Sequence, residues 1–155
     1  MTTLAVGDPA PDFALADQTG STVKLSDLRG RRVLLYFYPK ADTPGCTTQS
    51  CAVRDARDDF GELEADVLGI SPSPIDAQAR FDSKFSLGFP LLSDPMHETA
   101  DAYGVWGERS LYGRKYMGIV RSSFLLGADG RIEGAWYGVT PKETVPLALA
   151  ALRSP

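Results

Sequence analysis

The chain has 155 residues, 43% of them hydrophobic, enough for one compact domain with a single sizeable core, here taken as 1–155. A formal charge of −4, a pI near 4.9 and the absence of any basic run argue against nucleic acid as a partner. The N-terminus lacks a basic stretch followed by an apolar one, and no apolar run approaches the roughly 18 residues needed to span a bilayer, so a cytoplasmic protein without a membrane partner is expected.

In chain order, "FAL" (13–15) and "TVKL" (22–25) flank a Gly-containing loop and predict a small N-terminal hairpin. "VLLYFYP" (33–39) is a continuous apolar run rich in β-formers, as expected of a strand covered on both faces. Thr43-Pro44 then starts a helix, with an N-cap oxygen before a proline suited to the first helical position. Val53, Phe60 and Leu63, with Ala52 and Ala56, fit one apolar face of it.

"DVLGIS" (66–71) predicts a second strand, joined to the first by a right-handed crossover. Ser73-Pro74 and Asp94-Pro95 start two more helices, which Gly88 and Gly104 should end. His97 falls at the third position of the later one and reads as a surface residue. Residues 103–118 read as a long aromatic loop around Trp106, which either covers a pocket, meets a partner or seals the sheet end.

"SSFLLG" (122–127) and "RIEGAWYG" (131–138) bracket the turn signal Asp129-Gly130. Thr140-Pro141 with Glu143 resembles a capping box, but Pro146 moves the last helix start towards Thr144 or bends it there. The order predicts an α/β fold: a central mixed sheet flanked by helices, with a small N-terminal β-hairpin extension. Ligands in such sheets bind beyond the carboxyl ends of parallel strands, where "PKADTPGC" lies.

That segment and the residues after it hold the only two cysteines, Cys46 and Cys51. Two cysteines and the lone His97 cannot supply the four ligands of structural zinc, and the spacing is too wide for a C-x-x-C redox loop. With Pro44 first in the helix, Cys46 is third, among backbone N–H groups that lack helical partners and at the positive end of the macrodipole, which favours an ionised sulfur. The dipole contributes only about 0.3–1 kcal/mol at an exposed site, so a cation is wanted as well. Arg121 directly precedes "SSFLL"; if that strand runs antiparallel beside 33–38, Arg121 lies near Cys46. On position alone, Arg121 is either this cation or a surface residue at a strand start.

Helical positions five apart have Cα atoms roughly 8–9 Å from each other, whereas a disulfide tolerates at most about 7 Å. An intact helix therefore forbids a Cys46–Cys51 bond: either the pair never bonds, or the first turns unwind. Gly45, Thr47, Thr48 and Ser50 are poor or mediocre helix formers and make that unwinding cheap. On spacing alone, Cys51 is equally a small core residue.

Pro39, Thr43 and Cys46 match the P-x-x-x-T-x-x-C signature of the peroxiredoxins, and "DTPGCTTQSC" resembles their bacterioferritin comigratory protein, or Q-type, subgroup. "LLSDPMHETADAYGVWGERSLYGRKYMGIVRSSFLL" (91–126) is similar as well, so the resemblance runs from "GDPAPDFAL" to the last helix. It implies a thioredoxin-like fold and thiol-dependent reduction of hydrogen peroxide and organic hydroperoxides. Position by position, it implies Cys46 as the peroxidatic cysteine and Cys51 as the resolving one. Thr43 would hydrogen-bond the peroxide, Pro39 would shield the sulfur from water, and Arg121 would orient both reactants. An intrachain Cys46–Cys51 disulfide would be reduced by thioredoxin or a similar dithiol, with no metal, flavin or haem. A resolving thiol within the chain implies a monomer. Gln49 stands where many relatives carry Glu, and Ser123 where many carry Thr. Two other readings remain: a general thiol–disulfide oxidoreductase, which the missing C-x-x-C opposes, and a redox sensor oxidised once without turnover.

Overall fold

A seven-stranded mixed sheet organises the computed structural model, which describes residues 3–154. Its strands run β2-β1-β5-β4-β3-β8-β9. They are β1 (Ala14–Ala16), β2 (Thr22–Lys24), β3 (Arg32–Phe37), β4 (Ala65–Ser71), β5 (Leu91–Ser93), β8 (Ser122–Leu126) and β9 (Ile132–Trp136). The helices are α1 (Pro44–Asp55), α2 (Arg57–Glu62), α3 (Ile75–Phe85), α4 (Glu98–Ala102) and α5 (Thr144–Arg153). Strands β6 (Trp106–Leu111) and β7 (Arg114–Ile119) form a separate hairpin. This is the mixed α/β, thioredoxin-like arrangement expected, N-terminal hairpin included.

β3 explains the continuous apolar run. It is the central strand, parallel to β4 on one side and antiparallel to β8 on the other. Leu34, Tyr36 and Tyr38 face one core with Val53, Phe60, Phe81 and Ala148 from α1, α2, α3 and α5. Val33, Leu35 and Phe37 face a second core with Phe13, Ala100 and Tyr103. Both faces of the strand are dry, so alternation of polar and apolar residues is not needed.

Proline opens a helix at one of the expected starts; Asp94-Pro95 does not start one, Pro95 lying in a turn three residues before α4 begins at Glu98. Pro44 is the first residue of α1, as expected. Pro74 precedes α3 as its N-cap rather than opening it, and the helix ends at Phe85 with Ser86 left-handed, before Gly88. Pro146 is third in α5, and the first backbone bond into that helix, from Leu147 to Glu143, comes after it. Its missing N–H therefore costs no hydrogen bond. Half of the expected capping box forms, with Thr140 donating its N–H to Glu143 Oε1 at 2.9 Å.

Three expectations are corrected. The first helix does not run through to Leu63; it breaks at Ala56 (φ −92°, ψ 4°) into α1 and α2. His97 is not inside a helix but is the left-handed N-cap residue of α4 (φ 48°), while the Asp94 carboxylate accepts from the Thr99 and Ala100 N–H groups. Residues 103–118 are not an irregular loop: 106–119 is a hairpin turned by Tyr112 and Gly113, both at positive φ.

No described helix is long and apolar enough to cross a membrane.

Candidate active site

The carboxyl end of β3 delivers the chain into α1. Tyr38 still donates its N–H to Ile70 on the neighbouring β4, and Pro39 and Lys40 then emerge exposed. Thr43 is the N-cap residue in extended conformation, and the first helical bond runs from the Thr47 N–H to the Thr43 carbonyl at 2.8 Å. The Gly45 and Cys46 N–H groups therefore sit in the unpartnered first turn. The Thr43 side chain does not cap the helix: its hydroxyl donates to the Lys40 carbonyl at 2.7 Å.

Cys46 is 1% exposed, with its sulfur facing the core shared by Tyr36 and Tyr38. Pairing of β3 with β8 sets Ser122 opposite Phe37, so Arg121 arrives at the same end of the sheet. Its Nη1 and Nη2 each donate to Cys46 Sγ at 3.6 Å. The topological expectation that Arg121 lies near Cys46 thus becomes a contact, with Arg121 partly buried. Gly45 makes room for it: a Cβ there would lie 3.0 Å from Arg121 Nη2. The glycine read from sequence only as a weak helix former also admits the guanidinium against the helix start.

Gln49, one turn beyond Cys46, accepts from Arg121 Nη1 through Oε1 at 2.6 Å. Its Nε2 donates to Thr144 Oγ1 at 2.9 Å, and that hydroxyl shares a hydrogen bond of 2.8 Å with Ser123 Oγ. Gln49, Ser123 and Thr144 are fully buried. Sequence reading noted Gln49 and Ser123 only as departures from relatives and gave Thr144 no part in the site. No local pattern links residues 95 positions apart.

Cys51 is a free thiol like Cys46, half-buried and packed against the Cys46 core, with wound helix between them. Below α1, the Tyr36 and Ser50 hydroxyls share a hydrogen bond of 2.8 Å. Burial pushes the Tyr36 phenol well above its ordinary range, with both sulfurs adding to the shift, so the group stays protonated. Tyr38 is raised by burial too, and donates to Gln78 Oε1.

Pro39 borders a groove of about 320 Å³ with Lys40, Trp106, Arg109, Met117 and Ile119. Trp106 is held by a parallel stack on His97, centroids 3.9 Å apart and planes 2° from parallel. His97 in turn bonds Asp101 through Nδ1 at 2.8 Å. The lone histidine therefore supports the groove wall from outside the cysteine site.

The model of the AhpC/TSA family matches residues 6–135, most of the chain. The chain belongs to the AhpC/TSA family, the peroxiredoxins. Peroxiredoxin Bcp of Bacillus subtilis (strain 168) is 44% identical over 151 residues, covering 97% of this chain and 96% of that protein. Peroxiredoxin Bcp of Escherichia coli (strain K12) is 52% identical over 133 residues, covering 86% and 85%. Among solved structures, the bacterioferritin comigratory protein of Xanthomonas campestris, described for its alkyl peroxide reduction activity in trapped intermediate and ligand complexes, superposes with a TM-score of 0.86 at 33% identity, covering 91% and 90%. This peroxiredoxin is accordingly a thiol peroxidase, an oxidoreductase that takes a peroxide and a thiol reductant.

Proposed function

We propose that this peroxiredoxin reduces hydrogen peroxide and organic hydroperoxides through a Cys46–Cys51 cycle recycled by thioredoxin or a similar dithiol. The chain acts as one domain and as a monomer in the cytoplasm. The observation that carries the reading is the pair of Arg121 nitrogens, each 3.6 Å from the Cys46 sulfur. A fixed guanidinium stabilises an ionised sulfur and can hold a peroxide oxygen with its remaining donors. The alkyl peroxide activity described for the Xanthomonas campestris relative supports the organic substrates.

In the first step the Cys46 thiolate attacks one peroxide oxygen and the O–O bond breaks. The leaving oxygen departs as water or an alcohol once protonated, and the sulfur becomes a sulfenic acid. Thr43, whose hydroxyl proton is committed to the Lys40 carbonyl, keeps lone pairs to accept the peroxide O–H. Pro39, at the end of the strand that leads into α1, shields the sulfur from water. The first turns of α1 then unwind, and the Cys51 thiolate attacks the Cys46 sulfur. The S–O bond breaks, water leaves and the disulfide forms. The external dithiol attacks that disulfide and is itself oxidised, returning both cysteines as thiols.

Steady-state peroxide consumption with a thioredoxin system tests the reading. Multiple rapid turnovers that vanish in Cys46→Ser are expected. A single oxidation without turnover would contradict the cycle and favour a sensor.

A further inference from the structure

Arg121 holds its place against Cys46 through Gln49, and Gln49 is held from outside its own helix. The Gln49 amide is nearly symmetrical in shape, so its partners decide which end faces the guanidinium. Thr144 Oγ1 accepts from Nε2 at 2.9 Å, which turns the carbonyl Oε1 towards Arg121 Nη1 at 2.6 Å. Ser123 Oγ, 2.8 Å from Thr144 Oγ1, ties the Thr144 hydroxyl to β8. The chain of bonds thus runs from α5 and β8, through Gln49 in α1, to the arginine on the reactive sulfur. All three intermediates are fully buried, where a lost partner is costly.

We propose that Thr144 is a positioning residue for the peroxidatic step: it fixes the Gln49 side chain, and through it the Arg121 guanidinium, in the geometry that meets Cys46. The proposal rests on the two-cysteine reading above. Gln49 and Cys46 occupy successive turns of the segment that must unwind, whereas Thr144 opens α5 and Ser123 lies in β8. Unwinding therefore carries Gln49 off its anchor and frees the arginine. Rewinding restores both bonds against groups that have stayed in place, so Arg121 is aligned only when the helix is wound and Cys46 is ready to react.

The test is the single-turnover rate constant for Cys46 oxidation by hydrogen peroxide, measured in wild type, Thr144→Val, Thr144→Ser, Gln49→Leu and the Gln49→Leu/Thr144→Val pair. Thr144→Val keeps the shape and removes the hydroxyl, and the loss of alignment should slow oxidation about tenfold. Thr144→Ser, which restores the hydroxyl, should stay within about twofold of wild type. In the double variant, removal of Thr144 should add nothing to the Gln49→Leu defect, because one acts through the other. Thr144→Val oxidised at the wild-type rate, or a double variant slowed by the product of both single factors, would overturn the role. If Thr144→Val does not fold, side-chain amide exchange in the wild-type protein decides: the Gln49 NH2 protons should exchange well below the rate of a free glutamine, and free-like exchange would overturn the proposal. Wild-type protein inert to peroxide would remove the two-cysteine reading and this role together, so the wild-type arm tells the two failures apart.

Discussion

The Tyr36 and Ser50 hydroxyls meet at 2.8 Å beneath α1, joining the central strand β3 to the helix turn that lies between the two cysteines. Tyr36 is fully buried, and its phenol is kept protonated by that burial. In the proposed cycle the bond belongs to the wound helix alone, because Ser50 would leave Tyr36 as α1 opened for Cys51 to approach Cys46.

Tyr36→Phe removes that bond while keeping the ring. A buried hydrogen bond of this kind contributes about 1 kcal/mol net, so the helix should unwind about fivefold more readily. Stopped-flow kinetics should show disulfide formation accelerated by a similar factor, with the first oxidation of Cys46 unchanged. Unchanged disulfide formation would mean that unwinding does not involve this turn.

Gly45→Ala should act oppositely on the helix and against the arginine. Alanine favours the helical state over glycine by about 1 kcal/mol, which slows unwinding. Its Cβ, 3.0 Å from Arg121 Nη2, pushes a guanidinium already pinned by Gln49. Cys46 oxidation should fall about tenfold. Rapid-quench measurement of both steps should find each slower than in wild type.

Cys51→Ser should be oxidised once at the wild-type rate and then stall. Excess peroxide should carry Cys46 on to sulfinic and sulfonic acid, visible by mass. Full steady-state turnover with thioredoxin as the sole reductant would remove Cys51 from the mechanism.

Trp106→Ala opens the groove bordered by Pro39 and removes the stack on His97. If the groove seats the organic part of a hydroperoxide, loss of the Trp106 contact should lower kcat/KM for a bulky organic hydroperoxide about tenfold while hydrogen peroxide stays within about twofold. Equal effects on both substrates would assign Trp106 to stability instead.

Much of this molecule is legible from local patterns. Thr43-Pro44 marks the start of α1, and the run before it marks the central strand. With "SSFLL" taken as an antiparallel neighbour of that strand, position alone puts Arg121 near Cys46 but does not separate a cation at the sulfur from a surface residue at a strand start. The β6–β7 hairpin was hidden because its two turn residues at positive φ are Tyr112 and Gly113, where Asn-Gly or Asp-Gly would have announced them. β5 is only three residues long and fully buried, so periodicity cannot separate it from the turn that follows. The break at Ala56 has no glycine or proline to signal it. The Thr144–Gln49 bond exists only because α1 packs beside α5, a tertiary contact that no spacing rule encodes.

Non-reducing mass spectrometry of the wild-type protein after one equivalent of hydrogen peroxide tests the central claim most directly. The expected product has lost two hydrogens within one chain, mapped to a peptide linking Cys46 and Cys51. A sulfinic or sulfonic acid on Cys46 with Cys51 still a free thiol would contradict it.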